Sequence, residues 1–289
     1  LSTPALNFCN PIMKISLTEH YKIIEPAKKP VLTIVRQIYQ FRSILFTLAK
    51  RDVKAKYTQT VLGLLWSVIQ PLTGLLIFTI FFDKLIKVDT NNIPYPLFAF
   101  SGMVAWYFYT FIVNQGGTSL VDSQYLLKKF YFPRLILPLS KVLVGLVDFG
   151  ISVILLIILM IILGGMPSFL ILLFPVFLLL AVLTGLSIAI WLSALTIRYR
   201  DLQHIIPYLI NFSIWLTPVF YPSTLVPESY HFILYLNPMA GIIAGFRWCL
   251  LGDLIPSINY LWGILPVIFI FISGIYYFIK IEREIVDII

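Results

Sequence analysis

At 289 residues, 60% apolar and 12% charged, the chain carries about half the charge of a soluble domain, where roughly 25% is usual, and reads as an integral membrane protein. Its net charge of +8 would suit nucleic acid, but the cations cluster beside apolar runs, where orientation and anionic headgroups account for them; no nucleic-acid partner is expected. Cys9 and Cys249 fall on opposite sides of the topology below and no Cys/His cluster accompanies them, so neither a disulfide nor a metal site is expected.

Residues 1–30 are polar and broken by Pro4, Pro11, Pro26 and Pro30; they read as a loosely ordered N-terminal extension without the apolar core of a signal peptide. Residues 31–60 form a second unit. Ile34, Ile38, Phe41, Leu45 and Leu48 make one helical stripe, with Arg36, Gln40, Ser43, Thr47, Lys50 and Lys54 opposite. Such a basic amphipathic helix lies along a membrane interface or packs on a soluble partner.

Residues 61–280 hold the spans. Behind Lys50, Arg51, Lys54 and Lys56, residues 61–82 carry no charge and are long enough to cross about 30 Å of hydrocarbon. At 100° per residue, Gln59, Gly63, Trp66, Gln70, Thr73, Gly74, Ile77 and Phe81 share one stripe. A second span is expected over 95–113 and a loop over 114–138, with Lys128, Lys129 and Arg134 on its cytoplasmic side and Pro133 and Pro138 bounding a short helical piece. A third span, 139–163, contains Asp148, a lone acid that either serves function or bonds a neighbouring helix. The fourth runs to about 195. The fifth, 205–221, again aligns polar and aromatic residues: His204, Pro207, Tyr208, Asn211, Trp215 and Pro218. Rings interspersed with amides suit a carbohydrate passage, and equally suit helix packing; periodicity leaves both open. Residues 222–256, interrupted by Pro222, Pro227, Pro238 and Pro256, read as re-entrant or interfacial helices. The sixth span, 257–279, leads into a charged cytoplasmic tail at 281–289. The fold class is therefore an all-α integral membrane protein with six transmembrane helices. With both termini inside, eighteen of the 21 Lys and Arg residues are cytoplasmic, and only Lys84, Lys87 and Arg247 lie outside, as the positive-inside rule requires.

Catalysis has little to work with. No GxxxxGK[ST] phosphate loop occurs, so the chain is not expected to bind ATP that way, and no paired carboxylates or intramembrane proton relay support a glycosyltransferase or an ion-coupled carrier.

The segments YTQTVLGLLWSVIQPL (57–72), IPYPLFAFSG (93–102), KKFYFPRLILP (128–138), RYRDLQHIIP (198–207), WLTPVFYP (215–222) and LNPMAGIIAGFRWCLLGD (236–253) resemble the membrane subunit of polysaccharide ABC exporters, the ABC-2 permeases that move O-antigen, capsule or teichoic-acid chains. The resemblance implies a homodimer in the bacterial inner membrane, working with two copies of a separate ATPase subunit that carries ATP and magnesium. It implies an undecaprenyl-linked polysaccharide as substrate. It places the translocation path on the first and fifth spans, through Trp66, Gln70, Thr73, Phe81, Tyr208, Asn211 and Trp215. It assigns Gln124, Lys128, Lys129 and Arg134 to ATPase coupling, together with the amphipathic helix. It makes Asn237, Pro238 and Gly241 part of an external gate. Export of a drug or small lipid by a related ABC-2 permease is the alternative.

Overall fold

The computed structural model describes residues 31–58, 63–90, 93–165 and 168–288, and every regular element among them is helical. Among the described residues, five helical segments are long and apolar enough to cross a membrane, or six if the bent pair 228–236 and 238–251 counts as one span. The five are α3 (Trp66–Phe78) continued by a π-helical turn (Thr79–Leu85), α4 (Tyr95–Asp122), α6 (Ile136–Ile162), α7 (Phe174–Arg198) with a 3-10 turn before it, and α11 (Ile264–Ile288) behind another. Before them lie α1 (Val31–Gln40) and α2 (Arg42–Tyr57); between α4 and α6 sits the six-residue α5 (Gln124–Lys129). Between α7 and α11 come α8 (Leu202–Ser213), α9 (His231–Leu236) and α10 (Pro238–Leu251). Cys9 and Gln59 lie outside the described residues.

Helix α4 is the central pillar. Most of its residues are buried, from Tyr95 to Leu120, and α3, α6, α7, α8 and α10 all pack on it. The loop expected from residue 114 begins only at Ser123, because α4 runs to Asp122. Asn114, Gln115, Gly116, Gly117, Thr118 and Ser119 look like a loop in sequence, but small residues let membrane helices approach closely. A Cβ on Gly116 would come within 2.8 Å of Ala189 Cβ, and Thr196 donates a 2.8 Å hydrogen bond to the Gly117 carbonyl. α7 is drawn tight against α4 there.

Contacts between helix ends define two ends of the bundle. At one, Lys141 at the start of α6 pairs with Asp52 of α2 at 2.8 Å, and Arg134 donates to the Glu282 carbonyl of α11 at 2.5 Å. This is the basic end. At the other, Tyr95 donates to the Phe220 carbonyl at 2.9 Å and Ser168 N–H to the Leu250 carbonyl at 3.2 Å. The amphipathic helix expected over 31–54 is divided at Phe41 into α1 and α2. Ile38, Phe41, Ile44, Leu45 and Leu48 rest on a cluster formed by Leu120, Leu135, Ile136, Ile197 and Phe278, so its apolar stripe is at least partly covered by protein.

The fifth span differs most from its expectation. Instead of one helix over 205–221, α8 is followed by a single 3-10 turn (Ile214–Leu216) and then by non-helical chain through Phe220. The segment still joins the basic end to the opposite one, since it follows α7 there and reaches Tyr95. Non-helical backbone at membrane depth must be satisfied by protein, and Arg247 does this. Counted from sequence among the external cations, it is instead only 4% exposed. Its guanidinium donates to the carbonyls of Pro218 (3.0 Å), Val219 (2.6 Å) and Phe98 (3.3 Å), and lies 3.5 Å over the Phe98 ring. Gly102 makes the room: a Cβ there would stand 2.8 Å from the Val219 oxygen and 2.9 Å from an Arg247 nitrogen. Within 222–256, residues 228–236 and α10 meet at a 93° bend, the geometry of a broken span or of a re-entrant pair.

Arg247→Met leaves the buried carbonyls of Pro218 and Val219 unmet at about 1–3 kcal/mol each, while that of Phe98 keeps its bond from Ser101, so the purified protein should lose at least about 2 kcal/mol of stability, read as a lowered thermal midpoint in detergent. Arg247→Lys should recover only part of it, because an ammonium lacks the planar fork of donors. A wild-type midpoint for Arg247→Met would mean that the broken crossing holds without this residue.

Candidate translocation surface

The stripe on α3 faces outward. Trp66 is 53% exposed, and Gln70, Thr73, Ile77 and Phe81 are exposed along the same helix; Thr73 donates to the Gln70 carbonyl at 2.9 Å. Gly74 does not belong to it. A Cβ there would meet Met103 and Tyr107, so Gly74 lies on the α4 side, as do buried Pro71 and Leu75. On α8, Ile206 and Ile210 are buried while Tyr208 (72%) and Asn211 are exposed, as is Trp215 (53%) in the 3-10 turn that follows. Each helix thus buries one edge and leaves the rest open, where aliphatic residues such as Leu72, Leu76, Ile205 and Leu209 are exposed beside the rings and amides.

The two faces converge at the end opposite the cations. Phe78 stacks on Phe220 at 3.4 Å between centroids and meets Trp215 edge-on at 6.2 Å, while Phe82 stacks on Tyr95 at 6.3 Å. Trp66 stands at the basic end of α3, twelve residues before Phe78 and hence about 18 Å away along the helix. Trp66 and Trp215 therefore lie at different depths. The aromatic knot of Phe78, Phe82 and Phe220 could have been sought in the i, i+4 pair Phe78/Phe82, but its third ring comes from the far side of the chain.

The start of α3 is tethered by charge. Asp148 bonds a neighbouring element, accepting from Lys56, Tyr57 and Ser67. Nearby, Asp52 takes Lys141 at 2.8 Å and Arg51 at 2.7 Å. Burial pushes the Asp52 carboxyl up, but the hydrogen bonds from Lys141 and Arg51 outweigh it and its pKa lies below the usual value.

The remaining residues singled out from sequence fall in two further places. At the basic end, Lys128 and Lys129 are exposed on α5, Gln124 is half-buried, and Lys129 lies over the Tyr125 ring at 4.2 Å. Tyr125, Phe130 and Tyr131 are exposed beside them. Arg134 sits apart from this patch, half-buried against Glu282. At the opposite end, Asn237 caps α10 by accepting from Met239 N–H at 3.0 Å and donates to Thr217 at 2.9 Å. Pro238 occupies the first turn, where its missing N–H costs nothing, and Gly241 packs against Tyr260. Asn237 thus ties the bent pair to the end of the fifth crossing, while Pro238 and Gly241 pack on the turn before α11, at Gly263 and Tyr260.

A profile of the ABC-2 type transporter family matches residues 44–251. The chain is 34% identical over 220 residues to the O-antigen export system permease protein RfbA of Myxococcus xanthus, covering 75% of this chain and 84% of that one. It is 28% identical over 205 residues to an O-antigen export system permease protein RfbA of Klebsiella pneumoniae (71% and 78% covered). The polysialic acid transport protein KpsM of Escherichia coli is 23% identical over 221 residues, with 73% and 83% covered.

A carboxyl with a depressed pKa stabilises the fold above its unfolded value of about 3.9 and loses that contribution as pH falls through the folded value. The stability gap between wild type and Asp52→Asn should therefore be full at neutral pH and close as pH drops below about 4. A gap independent of pH in thermal unfolding would mean that the contact is not ionic.

Proposed function

The chain belongs to the ABC-2 type transporter family, and on that premise we propose that it is the permease subunit of an ATP-driven exporter of a lipid-linked polysaccharide, of the O-antigen kind. The subunit sits in the bacterial inner membrane with its basic end and both termini in the cytoplasm. Two copies face each other across the open faces of α3 and α8, and two ATPase subunits, carrying ATP and magnesium, dock at the basic end. The carrier lipid is undecaprenyl.

The observation that carries this reading is the pair of outward-facing stripes of rings and amides. Only Pro71 and Leu75 of α3, and Ile206 and Ile210 of α8, are fully buried. A glycan threading between two such pairs of helices needs contacts that tolerate any register. Trp66, Tyr208 and Trp215 offer flat faces to sugar C–H groups, and Gln70 and Asn211 exchange hydrogen bonds in place of water. Phe81 and Thr73 continue the same wall. Power enters at the exposed patch of α5, where Lys128 and Lys129 stand among Tyr125, Phe130 and Tyr131. Aromatic residues ringed by charge are typical of a docking surface. Gln124 starts that helix, and Arg134 anchors its far side to α11. Asn237, Pro238 and Gly241 brace the gate on the external side.

Deleting the gene should abolish the cell's surface polysaccharide, and retention of that polysaccharide would overturn the reading. Measured as export per assembled transporter, Trp66→Ala and Trp215→Ala should each slow transport a few-fold. Because the two rings lie at different depths, the double change should multiply the single effects rather than exceed them. Loss of abundance with an unchanged rate per complex would make the rings packing residues.

Lys128→Glu with Lys129→Glu reverses both exposed charges of α5. Export should fall at least tenfold while the permease still inserts and dimerises, and ATP hydrolysis should no longer respond to glycan. Normal export would reduce α5 to a solvated turn.

A further inference from the structure

At the end opposite the cations lies a cavity of about 210 Å³, smaller than pockets that enclose drug-sized ligands and on the scale of one sugar residue. Thr224 stands exposed at its rim, and His231, Tyr235, Asp253 and Tyr260 are half-buried in its wall. The three rings meet edge to face, His231 with Tyr235 at 6.0 Å and Tyr235 with Tyr260 at 5.2 Å between centroids. The polar groups of this wall are reachable and largely unspent. The Tyr235 hydroxyl makes no hydrogen bond among the described residues and is not sealed from solvent. Asp253 Oδ1 accepts from Leu254 N–H at 2.7 Å, whereas Oδ2 has no partner among the described residues and is likewise open. His231 Nε2 lies 2.8 Å from the Val226 carbonyl, so it carries the proton and leaves Nδ1 of the neutral ring as an acceptor. Both signs of charge line the cavity, the buried Arg247 and the carboxylate of Asp253. Arg247 opposes an entering cation and Asp253 an entering anion. A neutral molecule with several hydroxyls meets neither repulsion and can donate to the carboxylate and the imidazole at once.

We propose that this cavity binds one neutral sugar residue of the exported chain after it has crossed. Its hydroxyls donate to Asp253 Oδ2 and His231 Nδ1 and exchange hydrogen bonds with Tyr235 Oη, while the tyrosine rings pack on its C–H groups. The site rests on the polysaccharide reading above, but it uses no residue of the α3 and α8 faces. Nor do Asn237, Pro238 and Gly241 line it. Arg247 reaches from the cavity to the carbonyls of Pro218 and Val219, so the cavity stands one side chain away from the end of the fifth crossing. A residue held there opposes backward slip of the chain while the next length enters at the basic end. The exposed rim leaves the residue free to depart again.

The test uses the assembled transporter in lipid nanodiscs, where both faces are reachable. With Thr224→Cys at the rim, maleimide labelling is followed on that peptide by mass, so that Cys9 and Cys249 do not interfere. The probe is the oligosaccharide released by mild acid from the surface polysaccharide of the same bacterium. It should slow labelling about tenfold, whereas inorganic phosphate and magnesium chloride should not. Tyr235→Phe with Asp253→Asn keeps both shapes but removes the hydroxyl and the charge. This double change should raise the oligosaccharide concentration needed for protection about tenfold. Labelling unaffected by the oligosaccharide, protection by phosphate or magnesium instead, or undiminished protection in the double variant would each overturn the proposal. Should the double variant fail to assemble, Tyr235→Phe alone decides, with an expected threefold weakening. A transporter that exports glycan normally yet shows no protection at Thr224→Cys sinks the exit site and leaves the exporter reading intact; failure of that reading shows in the gene deletion.

Discussion

The requirement that no backbone carbonyl be left bare in hydrocarbon governs this structure. α8 accommodates Pro207, but Pro218 and Pro222 each remove a donor and obstruct the preceding turn, and the helix does not continue to residue 222. The carbonyls released at Pro218 and Val219 are met by Arg247, and that of Phe220 by Tyr95. A guanidinium suits the task because its donors form a rigid planar fork and it stays charged. Several other choices follow from placing it there. Residue 102 of α4 must lack a Cβ, Phe98 lies under the cation, and α10 must fold back toward the bundle to deliver Arg247 at all.

The same end is closed by apolar contact. Phe78, Phe82, Tyr95 and Phe220 bring the first span, the pillar helix and the fifth crossing together. At the basic end the first span is held by the Ser67 hydroxyl, which donates to Asp148, a carboxylate also bonded by Lys56 and Tyr57 of α2. Between these tethers α3 buries little beyond Pro71 and Leu75. A span fixed at both ends and thinly packed in the middle costs least to displace, since local stability follows burial. The π-helical turn at Thr79–Leu85 lies at its far end, and such turns collect at functional positions. The closely packed α4–α6–α7 core and the loosely covered α3 and α8 thus divide the chain into a buried frame and an open side.

Composition and periodicity were enough for much of this. Long uncharged runs must be helices, because only a helix satisfies its own backbone in lipid, and the first four spans and the last sit close to where hydropathy places them. Basic clusters marked one end of the bundle, since Lys and Arg beside a span resist burial. The outward stripes on α3 and α8 were visible as 100° periodicity, and the capping of α10 was implicit in Asn237–Pro238.

Tertiary structure alone decided which polar residues face inward and what they do there. Residues 114–119 read as a loop because amides and glycines are rare in helices; packing against α7 repays that cost and puts Asn114 into a cavity. Arg247 read as an external cation because charge near a span end is ordinarily solvated. Its three acceptors come from residues 29, 28 and 149 positions away. Asp148 likewise finds Lys56 at a separation of 92. No local pattern encodes such partners, because the free energy of a buried polar group depends on whatever the fold brings within hydrogen-bonding distance.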